Sequence, residues 1–342
     1  MNTPRRLSIA SLVVAVTLGS VVAAHAQYTP VDLGGVVDST FNLALAVNDR
    51  GEAVGTSSAT AETSASLWTS EGLTIIGALP STPPNSIAFD INKRGDVVGH
   101  SSVQTATTSV VHAILYTEGV LVDLGTLPGH SFSYANGIND RGEVAGLSTT
   151  GGGAAHLVLW RDGGIVDLGA VPLGTSVTGV NDRRQIVGYV VNDLGVRAFA
   201  WQDGEVAYLP SLTPVGDTFA QAINNRGDIV GAATRVPGGP LHAVLWRDDT
   251  ILDLGVLPGG VGSMARGLND KGQVVGWSED ATGAHHGFLW EAGEMLELPA
   301  LPGGRYAGPE AINDHGLVVG GSTTADSFIV RATMWIPAKG RR

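Results

Sequence analysis

Ala135-Asn136-Gly137-Ile138-Asn139-Asp140-Arg141-Gly142-Glu143-Val144-Ala145-Gly146 is one copy of a phrase that the chain repeats seven times. Its pivot asparagine recurs at Asn48, Asn92, Asn139, Asn181, Asn224, Asn269 and Asn313, at intervals of 42–47 residues. A fixed period of this size marks a repeat architecture and has to be read before any local motif. Outward from Asn139, the third copy shows a four-part grammar. An apolar alternation, Tyr134 to Ile138, enters the turn Asn139-Asp140-Arg141-Gly142, and a second apolar run, Glu143 to Gly146, leaves it. After a polar loop come His156-Leu157-Val158-Leu159-Trp160, the turn Arg161-Asp162-Gly163, and Ile165-Val166-Asp167-Leu168-Gly169. Runs of about five residues rich in Val, Ile, Leu and Trp have strand length and strand composition. Asn at the first turn position bonds the backbone just ahead, and Gly at the fourth accepts the left-handed conformation that closes a hairpin. That glycine stands in six copies; the fourth has Arg184, where a positive φ should cost about 1 kcal/mol.

The two ends of the chain complement each other. Tyr28 to Gly34 reads as a fourth segment without the first three, and the last copy stops after Trp335-Ile336-Pro337 without a fourth segment of its own. Pairing them completes one sheet from both termini and removes exposed strand edges. A linear solenoid would instead need polar capping repeats. The expectation is an all-β fold: a seven-bladed β-propeller of four-stranded blades, closed by N- and C-terminal strands sharing one blade, forming one domain over residues 27–342.

Residues 1–26 read as a secretory signal peptide: Arg5-Arg6, the apolar run Leu7 to Val22, and Ala24-His25-Ala26, with cleavage between Ala26 and Gln27. The residues after the arginine pair match a twin-arginine signal only loosely, so general secretion to the periplasm or beyond is expected. Removal of the two arginines shifts the formal charge from −12 to −14. An acidic chain without a Lys/Arg cluster is a poor partner for nucleic acid or for a membrane surface after cleavage. The absence of cysteine excludes disulfides, thiol chemistry and Cys-based metal sites.

Linkers between the fourth segment and the next copy carry Leu79-Pro80, Leu127-Pro128-Gly129, Val171-Pro172, Leu257-Pro258-Gly259-Gly260 and Leu301-Pro302-Gly303-Gly304. Pro and Gly place them as loops on one rim. The variable loops between second and third segments lie elsewhere in the unit, and loops that vary within a fixed grammar are where specificity sits. The third segments Val111-His112-Ala113-Ile114-Leu115-Tyr116, Leu241-His242-Ala243-Val244-Leu245-Trp246 and His286-Gly287-Phe288-Leu289-Trp290, with Asp-Leu-Gly and Leu-Pro-Gly-Gly after them, resemble the extracellular HAF-repeat family across essentially the whole mature chain. The resemblance implies an exported bacterial repeat protein and transfers no activity. Arg197, Arg331 and Ser64 occupy the His position and depart from that signature.

The chemically interesting ring is therefore His112, His156, Arg197, His242, His286 and Arg331, with Ser64 at the equivalent place. If the third segment lined a central channel, these groups would converge near one mouth; otherwise each would bond backbone or neighbouring polar groups. Charged pairing with the fourth-segment Asp32, Asp123, Asp167, Asp253 and Glu297 is the simple account of those carboxylates. The aromatic ending each third segment reads as a wedge between blades. Trp277 breaks the grammar and joins the candidate ligand-binding residues, whereas His285 and His286 point to opposite faces of a strand and do not chelate together. Searches for nucleophile-elbow, zinc-protease, phosphate-loop, dinucleotide and EF-hand motifs find nothing. No catalytic residue, metal or cofactor is assigned. The leading expectation is an exported, monomeric, non-catalytic propeller that binds a glycan or protein through one rim. The alternatives are a polysaccharide-acting hydrolase or lyase with its site at the channel mouth, and an assembly scaffold. Which strand is innermost stays open at this stage.

Overall fold

The computed structural model describes residues 28–59, 62–105, 108–325 and 327–338. The expected signal segment and its cleavage point lie outside the described residues. Seven antiparallel four-stranded sheets form the blades of a propeller. Their first strands are Phe41–Val47, Ser86–Ile91, Phe132–Ile138, Thr175–Val180, Thr218–Ile223, Gly260–Leu268 and Ala307–Ile312, defining blades I to VII. Each first strand packs against the first strands of both neighbouring blades, so the segment that runs into the pivot asparagine surrounds the axis. The His-bearing segment is the third strand out.

Crowding at the axis explains the small residues there. Two places before the pivot stand Ala46, Gly137, Gly179, Ala222, Gly267 and Ala311, with Asp90 the exception in blade II. A Cβ on Gly267 would lie 2.8 Å from the Glu310 carbonyl of the next blade. All seven first strands carry a bulge one place earlier, as between Ala135 and Gly137. The residue before the bulge pairs with a glycine of the second strand, Ala135 with Gly146 for example. A Cβ on that glycine would sit 1.8 Å from the Tyr134 carbonyl oxygen. The terminal glycine of the repeated phrase is therefore required by a close backbone approach rather than by its φ angle.

The pivot asparagine has a second role that a turn reading does not reveal. Asn139 Oδ1 accepts the N–H groups of Arg141 and Glu143, closing its own turn. Its Nδ2 donates to the Asn181 carbonyl of the next blade at 3.2 Å. The same bond runs from every pivot to the next, and Asn313 returns to the Asn48 carbonyl at 2.8 Å, completing a circle. The carboxamide gives its oxygen to its own turn and its nitrogen to the neighbour at the same time, whereas an aspartate would have no donor for the Asn181 carbonyl. In blade IV the turn still forms, with Arg184 at φ 59°, and Arg184 Nε donates to Glu143 of blade III at 2.7 Å.

Closure follows the complementarity of the ends. Tyr28–Asp32 pairs antiparallel with Ser327–Pro337, Pro30 opposite Trp335 and Val31 opposite Met334, so blade VII takes its outer strand from the start of the described chain. Tyr28 also donates its hydroxyl to the Gly316 carbonyl at 3.1 Å. The apolar cores lie between adjacent blades. Indole N–H groups tie the blades together: Trp68 donates to Gly34, Trp160 to Leu124, Trp246 to Pro210 and Trp335 to Pro299, each acceptor a carbonyl of the linker leading from the preceding blade. Buried serines reinforce these seams, Ser148 accepting the Leu127 N–H and Ser133 the Ala113 N–H.

An antiparallel meander has two faces. The Asn turns and the turns between third and fourth strands share one; the loops between second and third strands share the other with the Leu-Pro linkers. The variable loops thus stand on the same rim as the linkers, not elsewhere in the unit as the sequence suggested, because two reversals of direction separate them.

Candidate functional site

The channel is layered. At the Asn-turn mouth, the residue after each pivot is aspartate in five blades, Asn225 in blade V and Lys93 in blade II. Each of these aspartates, and Asn225, accepts the backbone N–H of its counterpart in the preceding blade, as Asp182 does from Asp140 at 2.9 Å; Asp49 accepts that of Asp314. Lys93 has no oxygen to offer and instead reaches Asp140, Asp49 and Asp314 with its ammonium at 3.3, 3.5 and 3.9 Å. Burial disfavours that charge, but the three carboxylates together hold the ammonium above the usual lysine value. This mouth encloses about 200 Å³ and narrows onto a collar of branched aliphatics that includes Val47, Ile138, Val180 and Ile223.

Inside the collar stand the bulge residues: Leu45, Phe89, Asn136, Thr178, Gln221, Arg266 and Glu310. No two blades agree here, although the position before the bulge is Ala in five blades and the position after it is Ala or Gly in six. A bulge turns an extra side chain out of the ladder, and in this ring it turns seven chemically different ones toward the axis. Arg266 bonds Glu310 at 2.7 Å and Gln221 at 3.0 Å, linking blades V to VII. Burial pushes the Glu310 carboxyl up, against the pull of Arg266.

Asp90, beside Phe89, accepts the N–H groups of Ile91 and Ile138 at 2.8 and 2.9 Å. It keeps some access to the channel, yet the surrounding protein pushes its carboxyl up to about 7, against those two bonds. A folded-state value above the unfolded one means that the folded protein holds this proton more tightly. Its contribution is therefore fully present below the ordinary carboxylate value and is lost as pH rises toward about 7. Asp90→Asn keeps an acceptor for Ile138 and removes the titration. In urea unfolding followed from pH 4.5 to 7.5, the variant should gain about 2–4 kcal/mol on the parent chain as pH rises. Parallel profiles would show that Asp90 is not held in this way.

The sequence-derived candidates lie outside the channel. His112, His156 and His242 each place Nδ1 against the fourth-strand carboxylate of their own blade, Asp123 and Asp167 at 2.9 Å and Asp253 at 3.0 Å. His286 engages Glu297 at 3.0 Å and Asp280 at 3.2 Å, and Arg331 engages Asp32 across the closure at 3.2 Å. Asp123, Asp167 and Asp253 also accept the N–H of the glycine two residues on, at 2.8–2.9 Å. The Asp-Leu-Gly motif is thus a side-chain turn that holds the histidine. Arg197 differs, lying over the Tyr208 ring at 4.7 Å. Trp277, on the second strand of blade VI, stacks on His285 at 4.2 Å with planes 3° apart. His100 lies in the second strand of blade II, Val97–Gln104, where burial pulls its imidazole down to about 4. Sequence reasoning missed the bulge ring and Lys93; the usable signal was the position three before the pivot, which differs in every copy.

No family model matches this chain, and no curated protein does. Among solved structures, it is similar to oligogalacturonate lyase from Vibrio parahaemolyticus, with 9% identity and a TM-score of 0.60 over 90% of this chain and 93% of that one. The β-propeller domain of the Trilobed protease from Pyrococcus furiosus shares 10% identity at a TM-score of 0.59, over 89% and 96% of the two chains. That domain is described as having an open velcro topology, whereas the ring here is shut by paired terminal strands. A streptogramin B lyase aligns at 10% identity and a TM-score of 0.55, over 92% and 99%. At these identities the likeness is one of fold alone.

Proposed function

We propose that this chain is an exported binding protein of the HAF-repeat kind, a rigid ring that recognises a glycan or a protein through the face bearing the linkers and the loops between second and third strands. The observation that carries the reading is the contrast between the two faces. The Asn-turn face is tied by one bond repeated in every blade, while the loops on the other face differ in length and chemistry from blade to blade. Asymmetry on a rigid scaffold is what recognition needs. The third-strand histidines are occupied by carboxylates of their own blades, which favours binding over the alternative of a hydrolase or lyase built from them.

The test is a glycan and peptide array probed with residues 27–342, together with two sets of variants. Loops 150–154 and 235–240 replaced by Gly-Ser of equal length should abolish binding. Arg50→Ala and Arg94→Ala, on the Asn-turn face, should leave it intact. Turnover of a substrate without retained ligand, or loss of binding that follows the Asn-turn variants, would reverse the reading.

A further inference from the structure

Six blades place a basic side chain at the same point of the third strand, and five of these side chains engage a carboxylate. Their partner stands eleven residues on, as in His112 with Asp123 and His242 with Asp253, or across the closure, as in Arg331 with Asp32. In blade IV the residue eleven after Arg197 is Tyr208, and the exposed guanidinium lies over that ring with no ion pair to any carboxylate among the described residues. Blade IV is also where Arg184 replaces the turn glycine and where Glu205–Tyr208 lacks the Asp-Leu-Gly motif, so the departure extends through the unit.

The unpaired cation borders a groove of about 730 Å³ between the hairpin that carries Leu194 and the linker that follows Tyr208. Its rim is apolar to an unusual degree: Leu194 is 92% exposed, Val215 79% and Tyr208 48%. Asp217 lines the same groove and accepts the Val196 N–H at 2.8 Å. A solvated aliphatic rim around an uncompensated guanidinium, with a carboxylate close by, matches a ligand that has an apolar side chain, an anionic group and N–H donors together.

We propose that this groove is a peptide-binding site, taking an extended segment in which a carboxylate side chain neighbours a bulky apolar one. Arg197 receives the carboxylate as a charge-assisted, bidentate partner. Leu194 and Val215 cover the apolar side chain, and Asp217 faces the peptide N–H groups. A sugar is a poorer match, because saccharides use open aromatic faces and one face of Tyr208 is already covered by Arg197. The inference rests on the proposed use of the loop-and-linker face and names its ligand.

The experiment uses residues 27–342 with two fluorescent hexapeptides that differ only in Glu-Phe against Gln-Phe at the centre, measured by anisotropy at two salt concentrations. The Glu peptide should bind about tenfold more tightly, an advantage that shrinks as salt rises. Arg197→Gln should erase the preference, and Arg197→Lys should restore part of it. Tyr208→Asp, which recreates the pairing of the other blades and keeps the blade intact, should erase it as well. Equal binding of both peptides, or a preference that survives Arg197→Gln and Tyr208→Asp, would overturn the proposal. If neither peptide binds while the loop-replacement variants still lose an array ligand, the peptide inference alone falls. If binding of any ligand follows the Asn-turn variants instead, both readings fall.

Discussion

Gly146→Ala is expected to destabilise the protein by about 3 kcal/mol or more, a large effect for a single methyl group. The added Cβ would be placed 1.8 Å from the carbonyl oxygen of Tyr134. That oxygen is backbone held in the innermost ladder of blade III, directly before a bulge, so it cannot swing away as a flexible side chain would. Relief requires the first strand to shift, and the first strand is fixed on both sides, Asn139 being bonded to Asn181 and Asn92 to Asn139. The strain therefore reaches the ring rather than one hairpin. Gly152→Ala is the internal control: it sits in the loop of the same blade with nothing within 4 Å of the new atom, and it should remain within about 0.5 kcal/mol of the parent. Urea unfolding of the two variants side by side makes the measurement. Equal stabilities would show that the second-strand glycine is not required by contact.

Trp335→Ala should cost about 3–5 kcal/mol, the range for emptying a fully buried indole site. Trp335 has no exposed surface and packs with Val275, Leu289 and Leu298 of blade VI, Ile312 and Val318 of blade VII, and Tyr28 of the closing strand. Its indole N–H donates to the Pro299 carbonyl at 2.6 Å, so truncation removes that bond to a partly buried acceptor as well as opening a cavity. The side chain stands opposite Pro30, which places the damage at the seam where the ring shuts. Trp290→Ala, at the equivalent place in blade VI but only half-buried, should cost less. A Trp335→Ala variant within about 1 kcal/mol of the parent would mean that the aromatic wedge does not secure the seam.

Much of this architecture was legible in the sequence because a repeat averages its own noise. The pivot asparagines set the period, the Asn-to-Gly turn set the hairpin, and the mismatch between Tyr28 to Gly34 and the unfinished last copy set the closure, which the pairing of Pro30 with Trp335 reproduces. The pairing of third-strand His and Arg with fourth-strand carboxylates could also be read, since both recur at a constant offset.

The innermost strand could not be read from run lengths, because every segment is about as long and as apolar as the next. What marks it is volume: Gly137, Gly179 and Gly267 stand where neighbouring backbones nearly touch, and Asp90 is conspicuous for breaking that rule. The bulge ring escaped for a related reason. Strict alternation assigns each strand residue to one of two faces, and a bulge breaks the alternation without leaving a composition signal of its own. The groove of blade IV was half visible, as Arg197 at a histidine position. That Tyr208 takes the place of the carboxylate has meaning only beside the His–Asp pairs of the other blades.

The closed ring is the premise of every functional statement made about its two faces, and the absence of cysteine allows a clean test of it. Val31→Cys combined with Met334→Cys introduces two thiols at directly paired positions of the closing sheet. Paired antiparallel residues have Cα atoms about 4.5–5.5 Å apart, within the range of a disulfide. On mild oxidation of dilute protein, the double variant should form an intramolecular disulfide that speeds migration on a non-reducing gel and raises the melting temperature. Thiols that stay free, or that link only between molecules, would contradict a ring fastened by its own first strand.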